Sequence, residues 1–159
     1  MKRVFCSLVA ACGLVACGDG GSSEGSPSDD ASTWVVVRVV DGDTIQVKNS
    51  VGAVEKVRFI GIDTPEEGEC GFVESKVALE GDLANKEVQL TPGATSDRDR
   101  YGRLLRYVDL DGRDTGLRLI EDGLAIARYD SRDGYGSHPR EKRYIAADEA
   151  SENLCLTNG

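Results

Sequence analysis

Three short runs of β-forming residues follow one another with almost nothing between them. Residues 34–40 are nearly all β-branched, residues 44–48 alternate apolar with polar, and residues 54–62 carry Val57, Phe59, Ile60 and Ile62. Asp41-Gly42-Asp43 separates the first two runs in the manner of a hairpin connection. A parallel return needs a crossover of a dozen or more residues, so strands this close together run as an antiparallel meander. Pro65 biases Thr64 away from helical geometry and ends the third run.

The rest of the chain adds helices and short strands. Val73 with Val77 and Leu79 with Leu83 are spaced four apart, which predicts a helix over 72–84 with an apolar stripe. Residues 88–90 read as a strand stopped by Thr91-Pro92-Gly93, 94–99 as a loop, and 103–110 as a strand turned by Asp111-Gly112. Asp114 is placed to cap a short helix carrying Leu117 and Ile120, and Gly123 to close it. Residues 124–127 suit a further short strand, and 129–139 a loop. A charged helix over 140–152 offers Ile145, Ala146 and Ala150 as its inward side chains. About five short strands with interposed helices give a mainly β, α+β domain. A five-stranded Greek-key barrel of the OB type with about three α-helices fits this pattern, and so does an α+β sandwich.

The 159 residues suit one folded unit, assigned to 34–159. Lys2 and Arg3 precede an apolar run, 4–16, broken only by Ser7 and Gly13. It is short for a bilayer span and reads as an export signal. Leu14-Val15-Ala16-Cys17 resembles the bacterial lipoprotein cleavage box. That resemblance implies a signal peptide 1–16, acylation of Cys17, and a protein anchored to the membrane by lipid on its extracytoplasmic side. Residues 17–33, rich in Gly, Ser and Asp, form a flexible tether. Cys70 and Cys155 remain as a pair, and in an exported protein such a pair suggests a disulfide; two free thiols are the alternative. Acids outnumber bases 28 to 19, giving a net charge of −9. That balance disfavours long nucleic-acid polymers as partners unless the local field at a site overrides it.

Charge gathers at three strand ends: Asp41-Gly42-Asp43-Thr44, Arg58 to Glu66, and Asp99-Arg100-Tyr101-Gly102-Arg103. Carboxylates from separate strands suit a hard cation that takes several oxygen ligands. Asp43 and Asp63 supply two, and the backbone carbonyl near Thr64 a third. The one histidine, His138, reads as a solvated loop residue, and no Cys pair has metal spacing. Arg58 and Arg103 bring planar, permanently charged forks that suit a phosphate. Glu66 is a second carboxylate free to act as a base. Together these are the parts needed to hydrolyse a phosphodiester; a solvated, charged rim is the plainer alternative.

The same three motifs, in this order and spacing, resemble those of the thermonuclease (staphylococcal nuclease) family, from about Trp34 to about Glu152. The resemblance implies an OB-fold barrel with three helices and a calcium-dependent endonuclease acting on DNA and RNA. It implies that Arg58, Glu66 and Arg103 are catalytic, and that Asp43, Asp63 and the Thr64 carbonyl hold calcium with Asp41 just outside. It further implies that Arg100 and Tyr101 hold a substrate phosphate, and that Tyr129 packs beside the nucleotide. The chain departs from that pattern in its acidity, in the short segment 67–72 with Cys70, and at Leu154-Cys155-Leu156, where a well-known member of the family has Trp. The expected partner is single-stranded or short DNA or RNA, and the expected state a monomer. Two other readings use fewer of these residues: a non-catalytic OB-type binding module, and a calcium-stabilised structural lipoprotein needing only Asp43 and Asp63.

Overall fold

The computed structural model describes residues 33–155. The expected signal segment 1–16, Cys17 and residues 18–32 of the tether lie outside the described residues. Strands β1 (Trp34–Val39), β2 (Thr44–Lys48) and β3 (Val54–Phe59) form the meander, with Val36 opposite Val47 and Thr44 opposite Arg58. β3 stops short of the predicted residue 62. Gly61 takes a positive φ of 76°, the chain turns there, and Ile62–Asp63 forms a separate strand, β4.

After helix α1 (Phe72–Leu83), β5 (Glu87–Thr91) runs antiparallel to the start of β1 and then to β6 (Leu104–Leu110). β6 also lies parallel to β3, with Arg58 opposite Leu105. That seam closes a five-stranded barrel in the order β1-β2-β3-β6-β5. The OB-type expectation holds, and closure excludes the sandwich. The register of β1 shifts between Val36 and Arg38, a bulge that bends the strand so that it serves two neighbours. Inside lie Val36, Ile45, Val47, Val57, Val88 and Val108, all fully buried.

Helix α2 (Thr115–Glu121) follows the two-residue strand β7 (Arg113–Asp114). As expected, Asp114 caps it, its Oδ1 accepting from the Leu117 amide at 3.1 Å. Gly123 follows at φ 70°, where a Cβ would run into the carbonyl of Glu152. β8 (Ile126–Ala127) then pairs with β4.

Two helix faces differ from the sequence reading. In α1, Ser75, Leu79 and Leu83 point inward at spacing four, which turns Val73 and Val77 out to 63% and 58% exposure. Helix α3 (Glu141–Ala150) leaves Ala146 and Ala150 exposed and Ile145 half-buried. It docks through polar-tipped side chains instead: Tyr144 donates to Asp114 at 2.8 Å, and Arg140 just before the helix grips both oxygens of Asp109 at 2.7 and 2.6 Å. His138, expected in solvent, is buried with its Nδ1 2.7 Å from the Tyr107 hydroxyl. The rings of Tyr107 and Tyr144 flank it and carry it inward.

Candidate active site

Asp43 ends the β1–β2 connection. Its amide donates to Asp41 Oδ1 at 3.1 Å, and its carbonyl accepts from Phe59 at 2.9 Å. Gly42 is needed beside it, since a Cβ there would lie 2.6 Å from Ser75 Oγ and 2.8 Å from Thr64 Oγ1. The close approach lets Thr64 reach Asp43, donating from its amide at 3.1 Å and its hydroxyl at 3.0 Å to Oδ2. Thr44 donates to Oδ1 at 3.1 Å. Burial pushes the Asp43 carboxyl up to about 6, against the pull of Arg58 and of the two threonine hydroxyls.

Arg58 reaches the same place from β3. Its Nη2 lies 3.1 Å from Asp43 Oδ2 and 3.1 Å from Asp63 Oδ1. Its Nη1 donates to the carbonyls of Phe59 and Ile62, both at 3.0 Å. The guanidinium is therefore fixed on four acceptors, and its remaining access is to the cleft described below. Tyr129 covers it, the guanidinium carbon 5.4 Å from the ring centre, and donates to Asp63 Oδ1 at 3.2 Å. Tyr129 holds a positive φ of 59°, a costly conformation for a bulky residue. Asp133 secures it by accepting the Tyr129 amide at 2.8 Å. Burial and the Asp63 charge raise the phenol's pKa, which keeps it a donor.

Arg103 enters from the turn before β6. Asp99 organises that turn, accepting from the amides of Tyr101 at 2.9 Å and Arg103 at 3.0 Å and from Arg103 Nε at 2.6 Å. Burial opposes ionisation of Asp99, yet the Arg103 bonds hold its pKa below the usual value. Arg103 Nη1 then donates to Thr44 Oγ1 at 3.3 Å. Arg100 donates to the Tyr101 hydroxyl at 2.7 Å, and Tyr101 is 68% exposed.

Glu66 stands apart. Its side chain is exposed and makes no hydrogen bond or ion pair among the described residues. Only its backbone is engaged, the amide donating to Glu69 Oε2 at 2.8 Å and the carbonyl accepting from the Glu69 amide at 2.9 Å. Cys70 and Cys155 form a disulfide. The structure thus brings Asp43, Asp63, Thr64, Arg58 and Tyr129 into one cluster and ties Arg103 to it through Thr44. It leaves Glu66 on an adjoining loop, and Arg100 with Tyr101 on the turn beside Arg103.

A cleft of about 540 Å³ runs from Arg58 and Arg103 past Tyr101 to Tyr129 and Tyr135. Asp99 and Thr44 hold Arg103 there, and sequence reasoning gave neither a role. The available signal was an acid four residues before an Arg across a Gly turn. Among the described residues there is no group of three or more His, Cys, Asp or Glu side chains able to hold a metal. The expected set has two carboxylates and a carbonyl. Those all-oxygen donors fit a hard cation whose remaining ligands would be waters or substrate.

Comparison with known proteins finds similar chains among bacterial endonucleases and thermonucleases. The chain is 39% identical over 98 residues to the SPbeta prophage-derived endonuclease YokF of Bacillus subtilis, covering 58% of this chain and 33% of that protein. It is 33% identical over 122 residues to the thermonuclease of Staphylococcus intermedius, covering 70% and 69%. To the thermonuclease of Staphylococcus hyicus it is 34% identical over 113 residues, covering 67% and 66%. The chain thus spans a third of the first relative and about two thirds of the thermonucleases. Residues 56–153 match the model of the family described as Staphylococcal nuclease homologue, and the chain belongs to that family.

Proposed function

We propose that this protein is a calcium-dependent endonuclease that hydrolyses phosphodiester bonds of DNA or RNA. The observation that carries the reading is the convergence of two guanidinium groups on consecutive residues: Arg58 on Asp43 and Arg103 on Thr44. Two fixed cations lining one cleft suit a phosphoryl group whose oxygens gain charge during reaction. The names of the relatives, endonuclease and thermonuclease, point the same way.

In this reading Arg58 and Arg103 stabilise the charge growing on the phosphoryl oxygens. Glu66 accepts a proton from the attacking water. Arg100 and Tyr101 receive a neighbouring phosphate. Asp43, Asp63 and the Thr64 carbonyl would hold calcium, which would supply Lewis-acid charge to the reaction. Tyr129, through its bond to Asp63 and its cover over Arg58, keeps the two groups aligned. The expected substrate is single-stranded or short, because the acidic surface opposes long polymers. The protein works as a monomer, exported and held to the membrane by lipid on Cys17.

Digestion of labelled single-stranded DNA, with calcium and then with chelator, tests the activity. Cleavage that persists in chelator excludes calcium dependence. Binding without cleavage favours the alternative module, which the isolation of the Glu66 carboxylate would then explain. Mass spectrometry of the mature N-terminus tests the anchor, and an unmodified Cys17 refutes it.

A further inference from the structure

The loop carrying Glu66 has little of its own to hold it. Residues 66–70 are all exposed, and three of the five are Glu. No apolar side chain among them enters the core, so only backbone turns and neighbouring anchors limit its motion. Gly68 and Gly71 bracket its end at φ 92° and 87°, conformations that impose no rigidity of their own. The three carboxylates repel one another, and a bound phosphate would repel them too.

Two features oppose this. The Glu69 carboxylate accepts the Glu66 amide at 2.8 Å, and the disulfide joins Cys70 to Cys155 across 85 residues of sequence. The far end is well anchored. Leu154 donates to the carbonyl of Gly123 at 3.2 Å, Cys155 donates to Asn153 Oδ1 at 3.0 Å, and Gly123 admits the Glu152 carbonyl where a side chain would not fit. Between loop and anchor lies a cleft of about 180 Å³ whose lining includes Asp63, Glu69, Leu124 and Asn153. The space between the two walls is open, and the disulfide spans them covalently.

We propose that the Cys70–Cys155 disulfide is a positioning element of the active site, holding the Glu66 loop against residues 151–155 so that the Glu66 carboxylate stays in reach of the attacking water. The inference rests on the nuclease reading. A small misplacement of a catalytic group can cost on the order of 10² in rate.

The test is a cycle of four calcium-loaded proteins: wild type, Cys70→Ser with Cys155→Ser, Glu66→Gln, and the triple variant. Each is assayed on single-stranded DNA well below its melting temperature. The expected result is a kcat lower by about tenfold to a hundredfold in the double-Ser protein, with KM and calcium affinity within about threefold. Combined with Glu66→Gln, loss of the disulfide should cost under about twofold more, since the group it positions is gone. If the double-Ser protein does not fold, wild type opened by a dithiol takes its place. The dithiol gives two electrons and two protons, leaves two protein thiols, and becomes a cyclic disulfide. A kcat unchanged by loss of the crosslink overturns the positioning role alone. An equal loss with and without Glu66 also overturns it, by showing a merely structural bond. Absence of turnover in oxidised wild type overturns the nuclease reading, and the positioning role with it.

Discussion

Arg58 and Asp43 form an ion pair at 3.1 Å with each side chain about nine-tenths removed from solvent. The pair is unforgiving. Arg58→Ala would leave a buried carboxylate without its cation, and breaking such a pair costs about 3–5 kcal/mol. Arg58→Lys keeps the charge but cannot meet two carbonyls and two carboxylates at once. The expected outcome for Arg58→Lys is a folded protein with turnover reduced by about 10² or more. Melting curves alongside single-stranded DNA digestion check both.

Arg103 is less buried than Arg58, and in the proposed mechanism its role is catalytic. Arg103→Ala should lower kcat on the order of 10²–10³ while shifting the melting temperature little. Asp99→Ala keeps the guanidinium but removes its anchor at 2.6 Å. It should lower kcat by about tenfold, a smaller loss than that of Arg103→Ala itself. If Asp99→Ala turns over like wild type, Asp99 has no part in aiming Arg103.

The basic residues near the cleft are mostly spoken for. Arg98 pairs with Glu55 at 2.9 Å, Arg103 with Asp99 at 2.6 Å and Arg106 with Asp97 at 2.6 Å. Arg100 is bonded to the neutral Tyr101 hydroxyl instead. Arg100→Ala is therefore expected to weaken single-strand binding and flatten its logarithmic salt dependence by about 0.7, the share of one phosphate. Arg98→Ala should change that slope much less. Titrations at several salt concentrations distinguish them.

His138 gives a pH signature unrelated to chemistry. Burial holds its pKa below the ordinary 6.5, with Glu141 and Asp130 pulling the other way. Below pH 6.5 the unfolded chain takes up a proton that the folded protein resists, so stability declines as pH falls through that region. His138→Gln should lose part of this decline. Melting temperatures between about pH 7 and pH 5 should fall less steeply for the variant than for wild type.

Short β-forming runs with an intervening Asp-Gly, and an acid one residue before a short helix, are local signals, and the meander and the Asp114 cap followed from them. The end of β3 did not, because Gly61 breaks the run while its apolar neighbours disguise the break. Residues 43, 58, 63 and 103 could be named from charge placed at strand ends. Their cohesion could not, because Asp43 meets Thr64 across 21 residues and Arg103 meets Thr44 across 59. Val73 and Val77 misled because four-residue spacing defines two faces of α1, and only docking on the barrel chooses between them.

The parallel seam between β3 and β6 sets when the two guanidinium groups meet. Arg58 lies on one side of that seam, opposite Leu105, and Arg103 immediately precedes the strand on the other. Meander pairings are local and form early, whereas this pairing waits for a distant segment. A nascent chain that ends before residue 104 owns Asp43, Arg58 and Asp63 but has no β6 to bring the second guanidinium alongside. The two guanidinium groups thus come together only when chain segments on both sides of the seam have paired.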